Sequence, residues 1–585
     1  MKSNSDKKQA ETKSASPHQD ASVIAGETEV PVGTMTGEFP AEQEASKRES
    51  ESSTGKFAFL VGAGILLSRI VGVIRQRVFA HYFGTSAAAD AFNAAFRIPN
   101  FLQNIFGEGA LSASFIPVYA GLLARENKEE ADRVASAILT MLALTTSLIV
   151  LIGVLTTPYL IDAIAPGFQG ETRELTIRLV KILFPGAGLL VLSAWCLGVL
   201  NSHRRFFLSY TAPVIWNVAI IFSLIWFGRR GSQVEIGNLN QFQFGLAEWV
   251  AWGSVIGSAL QFGVQLPTVL RLIRRLRPVL DAKSKSVRTV IRNFFPVFFS
   301  RGVVQISAFV DALLASLLGT GAVAALTFAQ SLYTLPVSLF GMSVSAAELP
   351  AMSSALGTET EVQAQLRRRL DSGLRQIAFL IVPSAIGFLA LGDVMVAALY
   401  QTGRFTRADS LYVWGIIAGS AIGLLPTTFG RLYASTFYAL HDTRTPLRFA
   451  VVHVVLAVVL GFLFAIPLPR ALGIDLRWGA IGLTTAAGLG GWAEFLLLRR
   501  KLNQRIGRTG LSWPFVAKLW IAAVAAAAIG WAIKLFMDVN RPILTALAVL
   551  GPYGVSYFLL TSVFGLPEAK RIVGRFTRLL RRGRG

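Results

Sequence analysis

The stretch SRIVGVIRQRVFAHYFGTSAAADAFNAAFRIPNFLQNIFGEGALSASFIP, residues 68–117, decides how this sequence is interpreted. Apolar residues surround and fill it, yet it carries a set of charged side chains: Arg69, Arg75, Arg77, Asp90, Arg97 and Glu108. An ionised side chain at the centre of a bilayer costs roughly 2.5–3.5 kcal/mol on insertion scales. A membrane segment that keeps so many charges has to use them or place them in a wet cavity.

The first charges of this stretch follow a helical pattern. At about 100° per residue on a helix, one arc of roughly 120° contains five residues: Ser68, Arg69, Gly72, Arg75 and Gln76. These polar groups therefore share one face, on which the glycine leaves room. Arg77 points to another face, where its long side chain can reach the membrane interface.

The second half of the stretch combines charges with helix-breaking residues. Asp90 and Arg97 are seven residues apart, so they share a face of the next segment. Pro99 and the triplet 107–109 (Gly-Glu-Gly) break or loosen that helix. Irregular backbone at membrane depth is tolerated only where protein or a water-filled cavity covers it. The stretch therefore predicts a polar cavity inside a membrane protein.

The composition of the whole chain supports a membrane protein. Of 585 residues, 53% are hydrophobic and 15% are charged, which is too apolar for one soluble domain. The single cysteine, Cys196, cannot form an intramolecular disulfide and suggests no metal site. We predict an all-α polytopic membrane protein with fourteen transmembrane helices at roughly 57–80, 88–123, 134–164, 175–200, 210–228, 244–270, 293–318, 322–350, 374–400, 409–440, 446–467, 479–498, 513–536 and 542–565.

The chain also repeats itself. Ser68-Arg69 recurs as Ser300-Arg301, and Phe106-Gly107 recurs as Phe340-Gly341. Six predicted segments separate the copies, which predicts two six-helix bundles related by a parallel repeat around a central basic cavity, plus two C-terminal helices. The expected organisation is a disordered cytoplasmic tail, the first bundle, the second bundle with its cytoplasmic linker, two appended helices and a basic cytoplasmic tail, at residues 1–55, 56–275, 276–508, 509–566 and 567–585.

The positive residues behind the net charge of +22 are spread unevenly over the predicted linkers. Basic residues concentrate in the even-numbered linkers, above all at 271–292, and in the C-terminal tail. The positive-inside rule then predicts a multi-pass protein with both termini in the cytoplasm. Anionic lipid headgroups account for the excess of positive charge, and nucleic acid is not an expected partner.

Motifs for catalysis do not appear in the sequence. Gly55-Lys56 lacks the upstream glycine of a phosphate-binding loop, no His-Cys-carboxylate cluster has metal spacing, and no G-x-S-x-G signature occurs. We therefore predict a transporter rather than an enzyme. Its transport is expected to use an ion gradient, the membrane potential or the gradient of its own substrate.

The motifs that do occur resemble the MurJ (MviN) family of lipid II flippases, within the superfamily of multidrug, oligosaccharidyl-lipid and polysaccharide exporters. The resemblance covers about residues 57–565 and rests on SRIVGVIR (68–75), RIPNFLQNIFGEGALSASFIP (97–117), APGF (165–168), LNSHRRF (200–206), LYQTGRF (399–405) and HDTRTP (441–446). It implies a flippase that moves lipid II, the undecaprenyl-diphosphate-linked peptidoglycan precursor, from the inner to the outer leaflet of the bacterial cytoplasmic (inner) membrane by alternating access.

The resemblance also implies the substrate-binding residues. In this family arginines line a V-shaped cavity and hold the diphosphate of the substrate. Arg69 and Arg75 match two of these arginines, and Arg97 matches a basic position in the same motif. Asp90 and Glu108 match two family carboxylates, and the internal repeat adds Arg301 in the second bundle as a further candidate. Residue chemistry agrees, because a guanidinium binds phosphate through two parallel hydrogen bonds and stays charged when desolvated.

An ion site is a further expectation from the resemblance. Some members bind sodium in the second bundle, where Asp311 matches an acidic ligand position and Asp442 is a second candidate. A helix cap is the alternative role for Asp442. We expect no bound cofactor, and we expect a Na+ gradient, a H+ gradient or the membrane potential to drive transport.

Two departures from the family pattern keep alternatives open. Gln103-Asn104 stands where the family often has a further arginine, and Gln330-Ser331 stands where many members have Asp-Arg. The alternatives are a flippase for another polyprenyl-diphosphate-linked glycan and a scaffold that binds lipid-linked precursors without moving them. An integral-membrane glycosyltransferase is disfavoured, because large loops with clustered acidic residues are missing. Expected partners are the lipid-linked substrate, membrane lipids and cell-wall synthesis proteins.

Overall fold

The computed structural model describes residue 64 and residues 66–570, apart from 107, 231–237, 274, 282, 355–356 and 538–540. For residues 108, 109 and 299–308 it describes the backbone alone. The predicted N-terminal tail and most of the basic C-terminal tail lie outside the described residues. Within the described part, the regular structure is helical and contains no strand.

The helices follow one another along the chain with short connections. Their bounds are α1 (66–83), α2 (Ala87–Phe106), α3 (Glu108–Ala124), α4 (Lys128–Leu155), α5 (Thr157–Ile164), α6 (Gly170–Ser202), α7 (Phe206–Gly228), α8 (Leu239–Leu272), α9 (Lys285–Ser316), α10 (Ala322–Pro336), α11 (Ser343–Ser353), α12 (Glu359–Tyr400), α13 (Arg407–Ala439), α14 (Arg444–Ala465), α15 (Pro467–Ala471), α16 (Gly479–Ile506), α17 (Trp513–Leu535) and α18 (Pro542–Val563).

Eleven helical segments of the described chain are long and apolar enough to cross a membrane. In their described parts, all fourteen predicted segments lie on helices, but α1, α8 and α9 are not among these eleven. In α8, three buried glutamines lower the hydropathy: Gln243, Gln261 and Gln265. They bond inside the protein, since Gln243 donates to the carbonyl oxygen of Tyr82 and Gln261 donates to the hydroxyl of Ser193. The total of fourteen spans stays a prediction.

Several predicted segments are divided where the backbone hydrogen bonding is interrupted. The segment 134–164 forms α4 and the short α5, because Pro158 in the first turn of α5 has no N–H to donate. The segment 322–350 forms α10 and α11, with a π-helical turn at Val337–Met342 directly after Pro336. Such turns commonly accompany kinks in long helices.

The start of α13 is fixed by a reciprocal cap. The backbone N–H of Asp409 donates to the Thr406 hydroxyl at 3.3 Å, and the backbone N–H of Thr406 donates to the Asp409 carboxylate at 2.7 Å. The same carboxylate accepts the hydroxyl of Thr85, between α1 and α2. This cap therefore also joins two loops that are distant in sequence.

Helix packing forms two groups and an appended pair. In the first group, α6 is central, and the helices that pack around it or against each other are α2, α3, α4, α7 and α8. In the second group, α13 is central, and the helices that pack around or against it are α10, α12, α14 and α16. The appended pair, α17 and α18, packs against α12. Helix α9 contacts both groups, through α3 and α2 on one side and α14 on the other.

The loops at one end of the two groups meet closely. The backbone N–H of Arg404 donates to the carbonyl oxygen of His81 at 2.8 Å, and the His81 ring lies 2.9 Å from the Thr402 hydroxyl. Gly84 has a φ of +57°, and a Cβ at this position would lie 2.6 Å from the Arg404 carbonyl oxygen. The loop after α1 thus requires glycine, both for its left-handed backbone and for this approach.

Candidate functional site

A cavity of about 340 Å³ lies between α1, α10 and the end of α12. Four members of the predicted polar arc line it together: Arg69, Gly72, Arg75 and Gln76. The facing residues of α10 include both polar and apolar side chains, and among the polar ones are the two departures noted in the sequence, Gln330 and Ser331. The helical-face prediction for α1 is confirmed in this respect, because the arc residues open onto one space.

A second cavity of about 170 Å³ lies on the other side of Arg75 and Gln76. Residues of α2 supply its polar lining, Asn93, Arg97 and Asn100. Thr327 of α10 lines both cavities, so the two spaces share one wall. The structure therefore brings three of the predicted substrate-binding arginines, Arg69, Arg75 and Arg97, to neighbouring cavities.

Arg75 lies against an aromatic pair. Its Cζ atom is 5.1 Å from the ring centre of Trp216 on α7 and 5.8 Å from that of Phe96 on α2. The two rings stack on each other, with centres 5.6 Å apart and an interplanar angle of 23°. Among the side chains that the structure describes, no carboxylate forms a salt bridge with Arg75. Its positive charge is therefore held by π-systems, which stabilise a cation without neutralising it.

A third cavity, of about 230 Å³, lies in the second group of helices and is lined by Asp311 of α9. The Asp311 carboxylate interacts electrostatically with Arg97 of α2 and with His453 of α14. The His453 ring in turn lies 2.8 Å from the Glu494 carboxylate of α16. Ionisable groups therefore run from the arginine cavities into the second group. His453 and Glu494 were not predicted from the sequence, although an ionisable residue inside an apolar segment is itself a signal of function.

Asp90 has its own partners, at the start of α10. Its side chain is 2% exposed, and its carboxylate accepts the backbone N–H groups of Gly321 and Ala324 at 2.5 and 2.8 Å. A carboxylate at a helix N-terminus pairs with N–H groups that have no partner within the helix. The structure thus places Asp90 in a contact between α2 and α10, and its predicted role in substrate binding stays a prediction.

Arg77 contacts protein at the end of α12. Its Nη1 atom donates to the carbonyl oxygens of Ala398 and Leu399. Its expected position near the membrane interface stays a prediction. The carbonyls at a helix C-terminus lack partners within the helix and attract cations.

Asp442 lies in the loop between α13 and α14, and it does not line the Asp311 cavity. Its carboxylate accepts the backbone N–H of Thr445 at 3.0 Å and the Thr445 hydroxyl at 2.7 Å, and it pairs with Arg505 at 2.8 Å. These bonds hold the pKa of Asp442 below its usual value. The arrangement matches the capping role that the sequence left open, and the structure does not bring the two candidate ion-binding residues together.

The two remaining predicted residues are described through their backbone alone. Glu108 is the first residue of α3, and Arg301 lies in the middle of α9. Among the described residues, no group of three or more His, Cys, Asp or Glu side chains is arranged to hold a metal ion. Phe96 and Trp216, whose contact with Arg75 is described above, were missed in the sequence because aromatic residues in apolar segments are common.

Comparisons with known proteins agree with the fold. A model of the family described as "MurJ: Lipid II flippase MurJ" matches residues 79–553. The lipid II flippase MurJ of Burkholderia cenocepacia is 30% identical over 476 residues, which cover 80% of this chain and 87% of that relative. The probable lipid II flippase MurJ of Vibrio cholerae is 29% identical over 532 residues, 87% of this chain and 96% of that relative.

Among solved structures, one of a lipid II flippase MurJ in an inward closed conformation matches with a TM-score of 0.70 and 24% identity. The match covers 86% of this chain and 98% of that one, and at this identity it supports the fold alone. The family model spans most of the chain, and the sequence motifs and the arginine-lined cavities point the same way. The chain therefore belongs to the MurJ family of lipid II flippases.

Proposed function

We propose that this chain is a flippase that moves lipid II from the inner to the outer leaflet of the bacterial cytoplasmic membrane. Family membership supports this function. The observation that carries it is the convergence of Arg69, Arg75 and Arg97 on neighbouring cavities inside an otherwise apolar bundle. Such a set of cations suits a diphosphate, because a multiply charged anion needs more than one positive partner when it leaves water.

The substrate grip in this proposal consists of Arg69 and Arg75 on the polar face of α1, with Arg97 on α2. Amide side chains beside them, Gln76 and Asn93, supply further hydrogen-bond donors. The departures Gln330 and Ser331 do not remove the site, because they add polar groups to the opposite wall. Asp90, Glu108 and Arg301 are proposed as further contributors on the basis of the sequence motifs.

Movement of the substrate is proposed to occur by alternating access between two six-helix bundles, in a fourteen-helix arrangement with both termini in the cytoplasm. Helix packing supports it. The end of α1 meets the loop after α12 through His81 and Arg404, and the end of α2 meets α9 through Phe106, Phe294 and Phe298. A reporter fused after Arg277 should then read cytoplasmic, and one fused after Gly237 should read external.

Coupling to an ion is proposed at Asp311. A hard cation such as Na+ prefers oxygen ligands, and the cavity around Asp311 offers its carboxylate and the hydroxyls of Ser420, Thr427 and Thr484. A H+ gradient or the membrane potential can serve the same purpose, because His453 lines the same cavity. Asp442 lies outside it and is a weaker candidate. Cell-wall synthesis proteins are proposed as functional partners.

The decisive experiment is complementation of a bacterium whose own lipid II flippase is depleted, combined with an assay for lipid II in the outer leaflet. The wild-type chain should restore growth and outer-leaflet lipid II, and an Arg69→Ala/Arg75→Ala variant that inserts normally should restore neither. Binding of lipid II without its appearance in the outer leaflet would favour a scaffold instead. Transport of a different polyprenyl-diphosphate glycan alone would redirect the substrate assignment.

A further inference from the structure

We infer that Trp216 and Phe96 form an aromatic platform that positions Arg75 for diphosphate binding, which makes Trp216 a positioning residue for the headgroup. This inference rests on the proposed function. The guanidinium lies 5.1 Å from the Trp216 ring centre and 5.8 Å from the Phe96 ring centre. A guanidinium that lies against aromatic rings keeps its planar set of N–H groups for an anion.

The platform is itself held in place from behind. The indole N–H of Trp216 donates to the hydroxyl of Ser254 on α8 at 3.2 Å. That serine is 4% exposed, so the bond is made inside the protein. One turn further along α8, Gly257 leaves room for the indole, since a Cβ there would lie 3.0 Å from Cδ1 of Trp216. The ring is therefore fixed by α8 and offers its other contacts to Arg75 and Phe96.

The position of the platform links it to the cavity rather than to general packing. Phe96 lines the 170 Å³ cavity beside Arg75, and the next residue, Arg97, lines it too. An unrestrained arginine loses side-chain entropy when it binds an anion, and this loss weakens binding. A platform that already restricts Arg75 reduces that loss. It also favours a ligand that engages the whole N–H fork, so a diphosphate should gain more from it than a monophosphate.

The test measures binding of undecaprenyl diphosphate and undecaprenyl monophosphate to the purified full chain in lipid nanodiscs. We expect Trp216→Leu to weaken diphosphate binding about threefold to thirtyfold, the range that corresponds to a cation–π contact. Monophosphate binding should change less, so the ratio of the two affinities should fall. Trp216→Phe keeps an aromatic face, so its ratio of diphosphate to monophosphate affinity should be close to that of wild type.

A matched control lies on the same helix. Trp226 stacks on Phe222 and is 57% exposed, so Trp226→Leu removes an indole of α7 that faces away from the cavities. Its two affinities should remain at wild-type values. If Trp216→Leu lowers both affinities equally, or if Trp216→Phe binds as weakly as Trp216→Leu, the indole acts through packing and the platform is overturned.

Two further measurements distinguish failure of the aromatic platform from failure of the proposed function. If Trp216→Leu fails to insert, tryptophan fluorescence replaces the affinity measurement. The fluorescence change on adding undecaprenyl diphosphate should disappear in Trp216→Phe and persist in Trp226→Phe. The reverse result overturns the platform. Arg75→Ala, assayed in parallel, reports on the proposed grip itself. Weak binding by Arg75→Ala with normal binding by Trp216→Leu would overturn the platform alone. Normal binding by Arg75→Ala would overturn the grip at Arg75, and the platform with it.

Discussion

The Nη1 atom of Arg77 lies 2.6 Å from the carbonyl oxygen of Ala398 and so joins the first helix of the chain to the end of α12. The same atom donates to Leu399 at 2.9 Å. Arg75, only two residues earlier, lines both arginine cavities. Two arginines on one helix therefore have different tasks, because 200° of helix rotation separates them. One is available to a ligand, and the other holds the two helix groups together.

This difference predicts separate phenotypes. Arg77→Ala should lower the free energy of unfolding by about 1.5–3 kcal/mol, the range for a hydrogen bond to a charged group, because two carbonyls lose their donor. Its affinity for diphosphate should stay within about twofold of wild type. Thermal unfolding in detergent and a binding titration check both statements. Weak binding by a variant of wild-type stability would place Arg77 in the grip after all.

Asp90 is expected to act mainly on stability. Asp90→Ala leaves the buried N–H groups of Gly321 and Ala324 without an acceptor, which should cost about 1–3 kcal/mol of unfolding free energy each. Asp162→Asn is the matched control and should change stability little, since Asp162 pairs with Arg173 in an exposed salt bridge that solvent screens. If Asp90→Ala unfolds like wild type but binds lipid II poorly, the substrate-binding prediction is the correct one.

Which structural features can be predicted from the sequence depends on how far apart along the chain the interacting residues lie. Apolar runs and the arc of α1 are local patterns, and they predict the helical segments and the common cavity of Arg69 and Arg75. The partners of Arg77 and Asp90 lie 321 and 231 residues away along the chain, where no local pattern reaches. Neither of these contacts could therefore be predicted from the sequence.

The same limit applies to the groups around the site. His453 and Glu494 are visible in the sequence as two ionisable residues in apolar segments, but their separation of 41 residues hides the contact between them. Trp216 carries no such signal, because its relation to Arg75 exists only once α7 packs beside α1 and α2. The family motifs pointed to Arg69, Arg75 and Arg97, and the fold brings these three residues to neighbouring cavities.

The stability of the α13–α14 loop should depend on pH through Asp442. Its folded-state pKa is lowered, chiefly by the N–H of Thr445, with further help from Arg505. A depressed pKa contributes stability above the unfolded value of about 3.9, and this contribution is lost as pH falls through the folded pKa. Asp442→Ala should therefore be less stable than wild type at pH 7, by about 0.5–2 kcal/mol.

The difference in unfolding free energy between wild type and Asp442→Ala should disappear on acidification from about pH 5 to below pH 3.9. Unfolding curves across this range, in a detergent that tolerates acid, provide the measurement. Equal pH dependence of the two proteins would mean that the Asp442 bonds do not contribute to stability in solution.

Asp311 tests the coupling proposal. Asp311→Asn removes a charge from the cavity that it shares with His453, so ion dependence of transport should be lost while membrane insertion is retained. Stability need not fall, because removing a buried charge also removes its desolvation cost. Asp475→Asn changes an exposed carboxylate and should transport with normal ion dependence. Unaltered ion dependence in Asp311→Asn would exclude this site.

The arginine cavities give the sharpest prediction. Each charge-assisted hydrogen bond to a diphosphate contributes roughly 1.5–3 kcal/mol, so losing Arg69 or Arg75 should weaken binding about tenfold to a hundredfold. Arg69→Lys keeps the charge but loses the planar fork, and it should be partly defective. Both alanine variants should fail to complement a flippase-depleted strain, whereas Arg77→Ala, expressed at the same level, should support growth. Because the three side chains differ chiefly in the direction in which α1 presents them, equal behaviour of all three variants would refute the helical-face argument. Growth and lipid II transport by both Arg69→Ala and Arg75→Ala would refute the diphosphate grip itself.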